Sequence, residues 1–268
     1  MESVLLAKKI RLHTLKMLHN AGASHIACIF SIADILAILY ADIMKFDVNN
    51  PLMASRDRFI LSKGHAGAGV YAVLAEMGFF PLEELNEYCE GGGRLSGHIS
   101  HKNVPGVEFS TGSLGHGVCV ASGMALAAKR DGLVHRVFTL IGDGECNEGS
   151  VWEMALFANH YRLNNFVVVV DHNKMQSLGF CEETLELIDL KEKWKSFGWN
   201  VYAVNGHNHF ELKEVFLKES KDKPTCIIAH TIKGKGVSFM ENNILWHYRD
   251  PQGKFYSDAI EELRAEKK

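Results

Sequence analysis

The 268-residue sequence lacks several features that define whole classes of protein. Its six cysteines include no CxxC pair, which argues against a zinc site or a disulfide framework and favours reduced thiols in a cytoplasmic protein. The net charge of −3 gives no reason to expect a nucleic acid or an anionic membrane as a partner. The N-terminus has no basic region followed by an apolar core, so no secretory signal is expected.

Long apolar runs are also scarce. One stretch, Ile26 to Ala41, is almost wholly apolar, but it contains only 16 residues, whereas a membrane-spanning helix needs about 20. Ser31 precedes Asp34 by three positions, a spacing that resembles a capping box and predicts a helix start at that point. The sequence therefore predicts a buried core helix over about 31–44 in a soluble protein.

The remaining patterns predict an α/β protein with a parallel sheet flanked by helices. From residue 136 onward, apolar runs alternate with helical patterns, which is typical of βαβ units. Residues 90–117 are dense in Gly, Ser and His and are predicted to form a functional loop. The predicted strands lie near 57–61, 136–141, 166–171, 200–204 and 225–230. The other predicted helices lie near 3–20, 68–77, 118–129, 149–162, 189–197, 209–219 and 258–268.

Two predicted strand ends carry oxygen ligands. Gly142-Asp143-Gly144 closes the apolar run 137–141, and Asn173 follows the run 166–170. Parallel sheets place ligand sites at the carboxyl ends of their strands, so these side chains are expected to lie close together. A carboxylate and an amide oxygen suit Mg²⁺ bridging to a diphosphate, and the glycines allow close approach of a bulky anion. A nucleotide-binding Rossmann protein would need a GxGxxG turn after its first strand, and none is visible.

Ordered motifs along the chain resemble those of the transketolase family. Residues 142–149 (GDGECNEG) and 171–174 (DHNK) are similar to that family's thiamine diphosphate signature. The resemblance covers nearly the whole chain and implies the thiamine diphosphate-binding fold. The further matching blocks are 62–66 (SKGHA), 96–98 (SGH), 105–117 (PGVEFSTGSLGHG), 231–236 (TIKGKG) and 246–247 (WH).

The chain is much shorter than full-length members of that family. Those carry a diphosphate-binding domain first, followed by a pyrimidine-binding domain and a C-terminal domain. The resemblance therefore implies that residues 1–268 form a single diphosphate-binding domain, the N-terminal subunit of a split transketolase. A partner chain would supply the other two domains, and we expect an α2β2 heterotetramer, or a homodimer when the chain is alone.

The resemblance also implies a cofactor and a metal. Asp143, Asn173 and the main-chain carbonyl of Met175 would hold Mg²⁺, and a related site could take Ca²⁺ or Mn²⁺. The metal would bridge to the diphosphate of thiamine diphosphate at a helix N-terminus. The remaining residues implied to contact the cofactor are His65, Gly112, Leu114, Gly142, Gly144, Glu148 and Lys233.

The resemblance implies that four histidines surround the reactive end of the cofactor and the substrate. His65 and His98 would line the reactive end of the cofactor, whereas His25 and His247 would contact the hydroxyl and carbonyl groups of the substrate. Glu148 would join a carboxylate network between cofactor sites at the dimer interface. His13, His19, His135, His160, His207 and His209 are expected to be structural or exposed.

The implied reaction is transfer of a two-carbon ketol unit from a ketose or its phosphate to an aldose. The glutamate that activates the cofactor would lie on the partner, so the chain alone is expected to be nearly inactive. Two alternatives stay open: another thiamine diphosphate enzyme subunit, of the deoxyxylulose-phosphate synthase or keto-acid decarboxylating type, or a noncatalytic cofactor-binding scaffold. Tyr248 and the segment 176–179 depart from the family pattern, so ordinary pentose phosphate substrates are not assumed.

Overall fold

A five-stranded parallel sheet forms the centre of the protein, which a computed structural model describes over residues 1–265. All five strands were predicted, and each observed boundary falls within one residue of the expected one. Their order across the sheet is β1-β2-β3-β5-β4, so β4 forms one edge and β5 lies beside β3. The strands are β1 (Arg58–Leu61), β2 (Val137–Gly142), β3 (Phe166–His172), β4 (Asn200–Asn205) and β5 (Thr225–His230).

Ten α-helices surround the sheet over residues 1–265, and each predicted helix overlaps at least one of them. Residues 88–116 form no helix or strand, as the Gly-rich composition predicted. The charged tail is helical from Lys254, and its last residues, 266–268, lie outside the described residues. The helices are α1 (Ser3–Ala21), α2 (Ile26–Phe30), α3 (Ala33–Ile38), α4 (Gly67–Glu76), α5 (Gly117–Arg130), α6 (Gly149–His160), α7 (Cys181–Thr184), α8 (Leu190–Ser196), α9 (His209–Phe216) and α10 (Lys254–Ala265).

The predicted helix over 31–44 is wrong in its start and in its capping box. The segment contains α2, α3 and a π-helical turn at Leu39–Ile43. Ser31 caps no helix, because its single O–H group faces Asp171 Oδ2 at 2.7 Å, with the carbonyl of Cys28 at 3.0 Å as a second acceptor. Asp34 pairs with Arg11 of α1. Both side chains have long-range partners in place of the local backbone N–H groups.

Apolar side chains alternate between the two faces of the sheet and build a core on each. Phe138 and Leu140 of β2 pack on one face with α1, α2, α3, α4, α9 and α10. Val137 and Ile141 pack on the other face with α5, α6 and α8. The polar residues that follow the strands are thereby left at the carboxyl edge of the sheet.

Two further observations bear on the predicted class of protein. Within residues 1–265, no helix has both the length and the apolar character needed to cross a membrane. All six cysteines are free thiols, three of them buried.

Candidate active site

The predicted metal ligands meet at the carboxyl edge of β2 and β3. Gly142 pairs with Asp171 across the two strands, which places Asp143 and Asn173 side by side. Asp143 accepts hydrogen bonds from Gly144 N at 2.8 Å and Lys174 N at 2.5 Å. Burial, with the nearby Asp171 carboxylate, raises the pKa of Asp143 to about 6. A divalent cation would relieve this crowding of buried negative charge.

This donor set differs in kind from a site built only of ionisable ligands. The part of the chain that the structure describes contains no cluster of three or more His, Cys, Asp or Glu side chains that could hold a metal. The predicted set has one carboxylate, one amide oxygen and one main-chain carbonyl, so other oxygens would have to complete an octahedron.

A cleft of about 240 Å³ opens beside these ligands. It brings together most of the residues predicted from the sequence, although these lie as far apart along the chain as His25 and His247. The predicted residues that line it are His25, His65, His98, Leu114, Gly142, Asp143, Gly144, Asn173, Met175, Lys233 and His247.

Two predicted residues lie outside the lining of the cleft. Gly112 lies next to His98, since an added Cβ at position 112 would be 3.6 Å from His98 Cδ2. Glu148 is exposed, and its carboxylate has no hydrogen-bond partner within residues 1–265. A larger cavity of about 660 Å³ shares Asp143 and Asn173 and extends towards residues 180–191. The smaller cleft is lined by all of the predicted metal ligands and by the four predicted histidines.

Four histidine rings converge at one end of the cleft. The ring of His25 lies 5.2 Å from that of His65, 5.9 Å from that of His98 and 5.2 Å from that of His247, centre to centre. Tyr248, the departure noted in the sequence, is exposed and lies 4.6 Å from the ring of His247. His25 has a positive φ of 78° at the start of α2, and its N–H donates to the carbonyl of His247 at 2.9 Å.

Three of these histidines, His25, His65 and His247, are neutral at neutral pH. Burial, followed by the charges of His98, Lys233 and Lys63, lowers the pKa of His25 to about 4. Burial and the charge of Lys233 lower the pKa of His247 to about 3. The pKa of His65 is also well below its ordinary value, because the ring is buried close to Lys63. Neutral imidazoles can both donate and accept hydrogen bonds, which suits a hydroxylated ligand.

Sequence reasoning assigned no role to the buried Asp171, which organises the metal-ligand edge. Its carboxylate accepts hydrogen bonds from Lys63 Nζ at 2.6 Å, Asn173 Nδ2 at 2.9 Å, Ser31 Oγ at 2.7 Å and Thr231 Oγ1. The bond to Nδ2 fixes the Asn173 amide, so that its oxygen points away from Asp171. A charged residue at the end of an apolar strand, inside a motif, is a signal that could have found it.

Glu145 is a second residue that sequence reasoning missed. It is buried and accepts hydrogen bonds from Ser62 Oγ, from Gly115 N at 2.8 Å and from Gly142 N at 3.1 Å. These bonds tie the glycine-rich loop to the turn that carries Asp143. Gly115 has a φ of +78°, and an added Cβ would lie 2.3 Å from Ser150 Oγ, so this position requires glycine.

A Glu145→Gln variant tests this tie. Its amide NH₂ must face one of the three donors, so we expect the free energy of unfolding to fall by about 1–3 kcal/mol. Urea unfolding of the chain measures the change. Glu148→Gln is the matched control, because exposed substitutions change stability by about 0.5 kcal/mol or less. Equal stabilities of the two variants would contradict a tying role for Glu145.

Comparison with known proteins supplies the family. A family model described as the transketolase thiamine diphosphate binding domain matches residues 3–250. The chain is 40% identical to the 6-deoxy-6-sulfo-D-fructose transketolase subunit of Clostridium sp. (strain MSTE9), covering 97% of this chain and 95% of the relative. It is 39% identical to an apulose-4-phosphate transketolase subunit of Phocaeicola vulgatus, covering 97% of this chain and 92% of the relative.

Solved structures confirm the predicted fold class. Transketolase from Campylobacter jejuni superposes with a TM-score of 0.91 at 28% identity, covering 97% of this chain but only 42% of that protein. The chain thus spans less than half of a single-chain transketolase and nearly all of the subunit relatives. With its family model, its relatives and its fold in agreement, the chain belongs to the transketolase family of transferases as a subunit that carries the thiamine diphosphate-binding domain.

Proposed function

We propose that the chain is the cofactor-binding subunit of a two-component transketolase that moves a two-carbon ketol unit from a ketose to an aldose. The observation that carries this proposal is the cleft, which has the predicted metal ligands at one side and the neutral His25 and His247 at the other. Residues 1–268 then form one domain, and a partner subunit supplies the pyrimidine-binding and C-terminal domains. Two chains and two partners would form an α2β2 assembly.

The residues of the cleft fit thiamine diphosphate and Mg²⁺. Asp143, Asn173 and the carbonyl of Met175 offer the hard oxygens that Mg²⁺ prefers, and Ca²⁺ or Mn²⁺ are the alternatives. Position 144 requires glycine, since a Cβ there would lie 2.8 Å from Gln176 Cγ. The buried Lys233 brings positive charge to the same region. When bound, thiamine diphosphate supplies a nucleophilic carbon and an electron sink for cleavage of the C–C bond.

The histidines act on the substrate in this proposal. His65 and His98 border the reactive end of the cleft, and His25 and His247 orient hydroxyl and carbonyl oxygens by hydrogen bonds. The depressed pKa values of His25 and His247 keep these two rings neutral, so each can offer an N–H donor and a lone pair to hydrogen-bond partners. Glu148 is exposed, which leaves its carboxylate accessible to a neighbouring protein chain.

The free thiols favour the reducing cytoplasm as the place of action. The two subunit relatives are named for 6-deoxy-6-sulfo-D-fructose and for apulose-4-phosphate. We therefore propose a ketose outside the ordinary pentose phosphates as donor, which a screen of ketoses and aldehyde acceptors identifies.

Calorimetric titration of thiamine diphosphate with Mg²⁺ tests the proposal, on the chain alone and mixed with the product of the neighbouring open reading frame. We expect tight, metal-dependent binding and turnover of about 1–10³ s⁻¹ only in the mixture. Asp143→Ala should abolish both, whereas the exposed Asp131→Ala on the far end of α5 should retain both. Binding in the mixture without turnover would favour a noncatalytic cofactor-binding scaffold, and binding in neither sample would overturn the proposal. Full turnover by the chain alone would overturn the need for a partner.

A further inference from the structure

Lys233 occupies an unusual place in the cleft. It lies on the loop after β5, its side chain is only 1% exposed, and its Nζ has three acceptors. These are the carbonyls of Met175 and Gln176, each at 3.1 Å, and His247 Nδ1 at 3.0 Å. An ammonium group carries three N–H donors and no acceptor, so these contacts use its whole hydrogen-bonding capacity.

This contact determines which nitrogen of His247 carries the proton. A group that only donates requires a lone pair on Nδ1, so Nδ1 is unprotonated. The thiol of Cys28, 3.6 Å from the same nitrogen, is a weak donor and agrees with that assignment. Because a neutral imidazole holds one proton, the proton of His247 lies on Nε2. Nε2 has no hydrogen-bond partner within residues 1–265, and His247 lines the cleft.

We infer that Lys233 is a positioning residue that holds His247 in the Nε2–H tautomer, so that His247 donates a hydrogen bond to a substrate oxygen and does not act as a base. The ligand group it selects is a carbonyl or alkoxide oxygen, where a donor stabilises developing negative charge. The role towards substrate rests on the proposed function, but the tautomer does not. A base at this end of the cleft must then be another histidine.

The same geometry refines the predicted contact between Lys233 and the cofactor. With its three N–H groups bonded to protein acceptors, Lys233 acts on a bound diphosphate through its charge and needs no direct hydrogen bond. The ammonium also bonds the carbonyl of Met175, so one side chain connects the proposed metal ligand to His247.

Long-range ¹H–¹⁵N correlation spectra of the full chain labelled with [¹⁵N]histidine test the tautomer directly, alone and with the partner. His247→Gln identifies the signals by their loss. We expect unprotonated Nδ1 and protonated Nε2 in the wild type, and a tautomer mixture in Lys233→Met. His207 provides an internal reference of the opposite tautomer, because its Nδ1 donates to Asp34 and its Nε2 accepts from Ile232 N at 2.8 Å. A protonated Nδ1 in wild-type His247, or an unchanged tautomer in Lys233→Met, would overturn the inference.

Kinetics of the reconstituted enzyme show whether His247 acts as a hydrogen-bond donor or as a general base. A glutamine amide can place its N–H near the position of Nε2, whereas asparagine is too short, so His247→Gln should keep at least about tenfold more kcat than His247→Asn. Lys233→Met should lower kcat by about 10²-fold with little change in KM, since loss of one transition-state donor costs about 10²–10³-fold. Lys235→Met, two positions away and partly exposed, is the control that should keep wild-type activity.

Equal losses in His247→Gln and His247→Asn would show that the ring acts as a base and would refute the donor role. Comparison of His247→Gln with His247→Asn also keeps the inference testable if Lys233→Met fails to fold. An enzyme without ketol-transfer activity would remove the proposed function but leave the spectroscopic result standing.

Discussion

Replacement of Asp34 by asparagine is expected to lower the free energy of unfolding by about 3–5 kcal/mol, because it removes one partner of a buried ion pair. Arg11, itself 3% exposed, donates to Asp34 through Nη1 at 3.2 Å and Nη2 at 2.5 Å. His207 Nδ1 donates at 2.7 Å and His209 Nε2 at 3.1 Å. Asparagine leaves the permanently charged Arg11 buried without its carboxylate and turns an NH₂ group towards donors.

The effect of Asp34→Asn should depend on pH. Burial alone would raise the pKa of Asp34, but the charge of Arg11 and the hydrogen bonds from His207 and His209 hold it well below its ordinary value. A carboxyl whose pKa is depressed in the folded state stabilises the protein above its unfolded pKa of about 3.9 and loses that contribution as the pH falls. The stability difference between wild type and variant should therefore be full at pH 7 and shrink below about pH 4.

Urea unfolding across this pH range measures the difference. Asp42→Asn is the matched control, since Asp42 forms an exposed ion pair with Lys213 and such pairs contribute about 0–1 kcal/mol. A loss in Asp34→Asn no larger than in the control, or a difference independent of pH down to pH 3, would contradict the role assigned to Asp34.

Asp34 also shows where prediction from sequence fails. The spacing of Ser31 and Asp34 matched a capping box, a motif defined by bonds to the nearest backbone N–H groups. The structure satisfies both side chains across the fold, with partners at positions 11, 171, 207 and 209. Local spacing carries no information about contacts of that range, because they depend on how the helices pack on the sheet.

Features that depend on local periodicity were predicted well. The strands follow from apolar runs of the right length, and the meeting of Asp143 with Asn173 follows from the common direction of parallel strands. The convergence of His25, His65 and His247 required the family resemblance, because nothing in their immediate sequence separates them from His19, which stacks on Tyr256. The roles of Asp171 and Lys63 arise from packing over 108 positions and became visible only in the structure.

Asp171→Asn is expected to destabilise the chain and to weaken metal-dependent cofactor binding together. Burial alone would raise the pKa of Asp171, but the charge of Lys63 and the hydrogen bonds from Lys63, Thr231 and Ser31 outweigh it and lower the pKa. Asparagine removes the charge opposite the buried Lys63, so the free energy of unfolding should fall by about 3–5 kcal/mol. The same change gives Asn173 Nδ2 a neutral amide acceptor in place of the carboxylate, which roughly halves the strength of that bond. Loss of such support around a ligand costs about 10–100-fold in metal affinity.

Thr231→Val is the matched variant that separates the two effects. It removes one of the four donors to Asp171 and leaves both the carboxylate and the Lys63 ion pair, so stability should fall by only about 1 kcal/mol. Because Asn173 Nδ2 still has its acceptor at 2.9 Å, the Mg²⁺ concentration needed for cofactor binding should stay close to that of the wild type. If Asp171→Asn loses stability yet binds Mg²⁺ and cofactor normally, Asp171 supports the fold alone and does not orient Asn173. A 10–100-fold higher Mg²⁺ requirement in Asp171→Asn, absent from Thr231→Val, would instead assign the orientation of Asn173 to the carboxylate of Asp171.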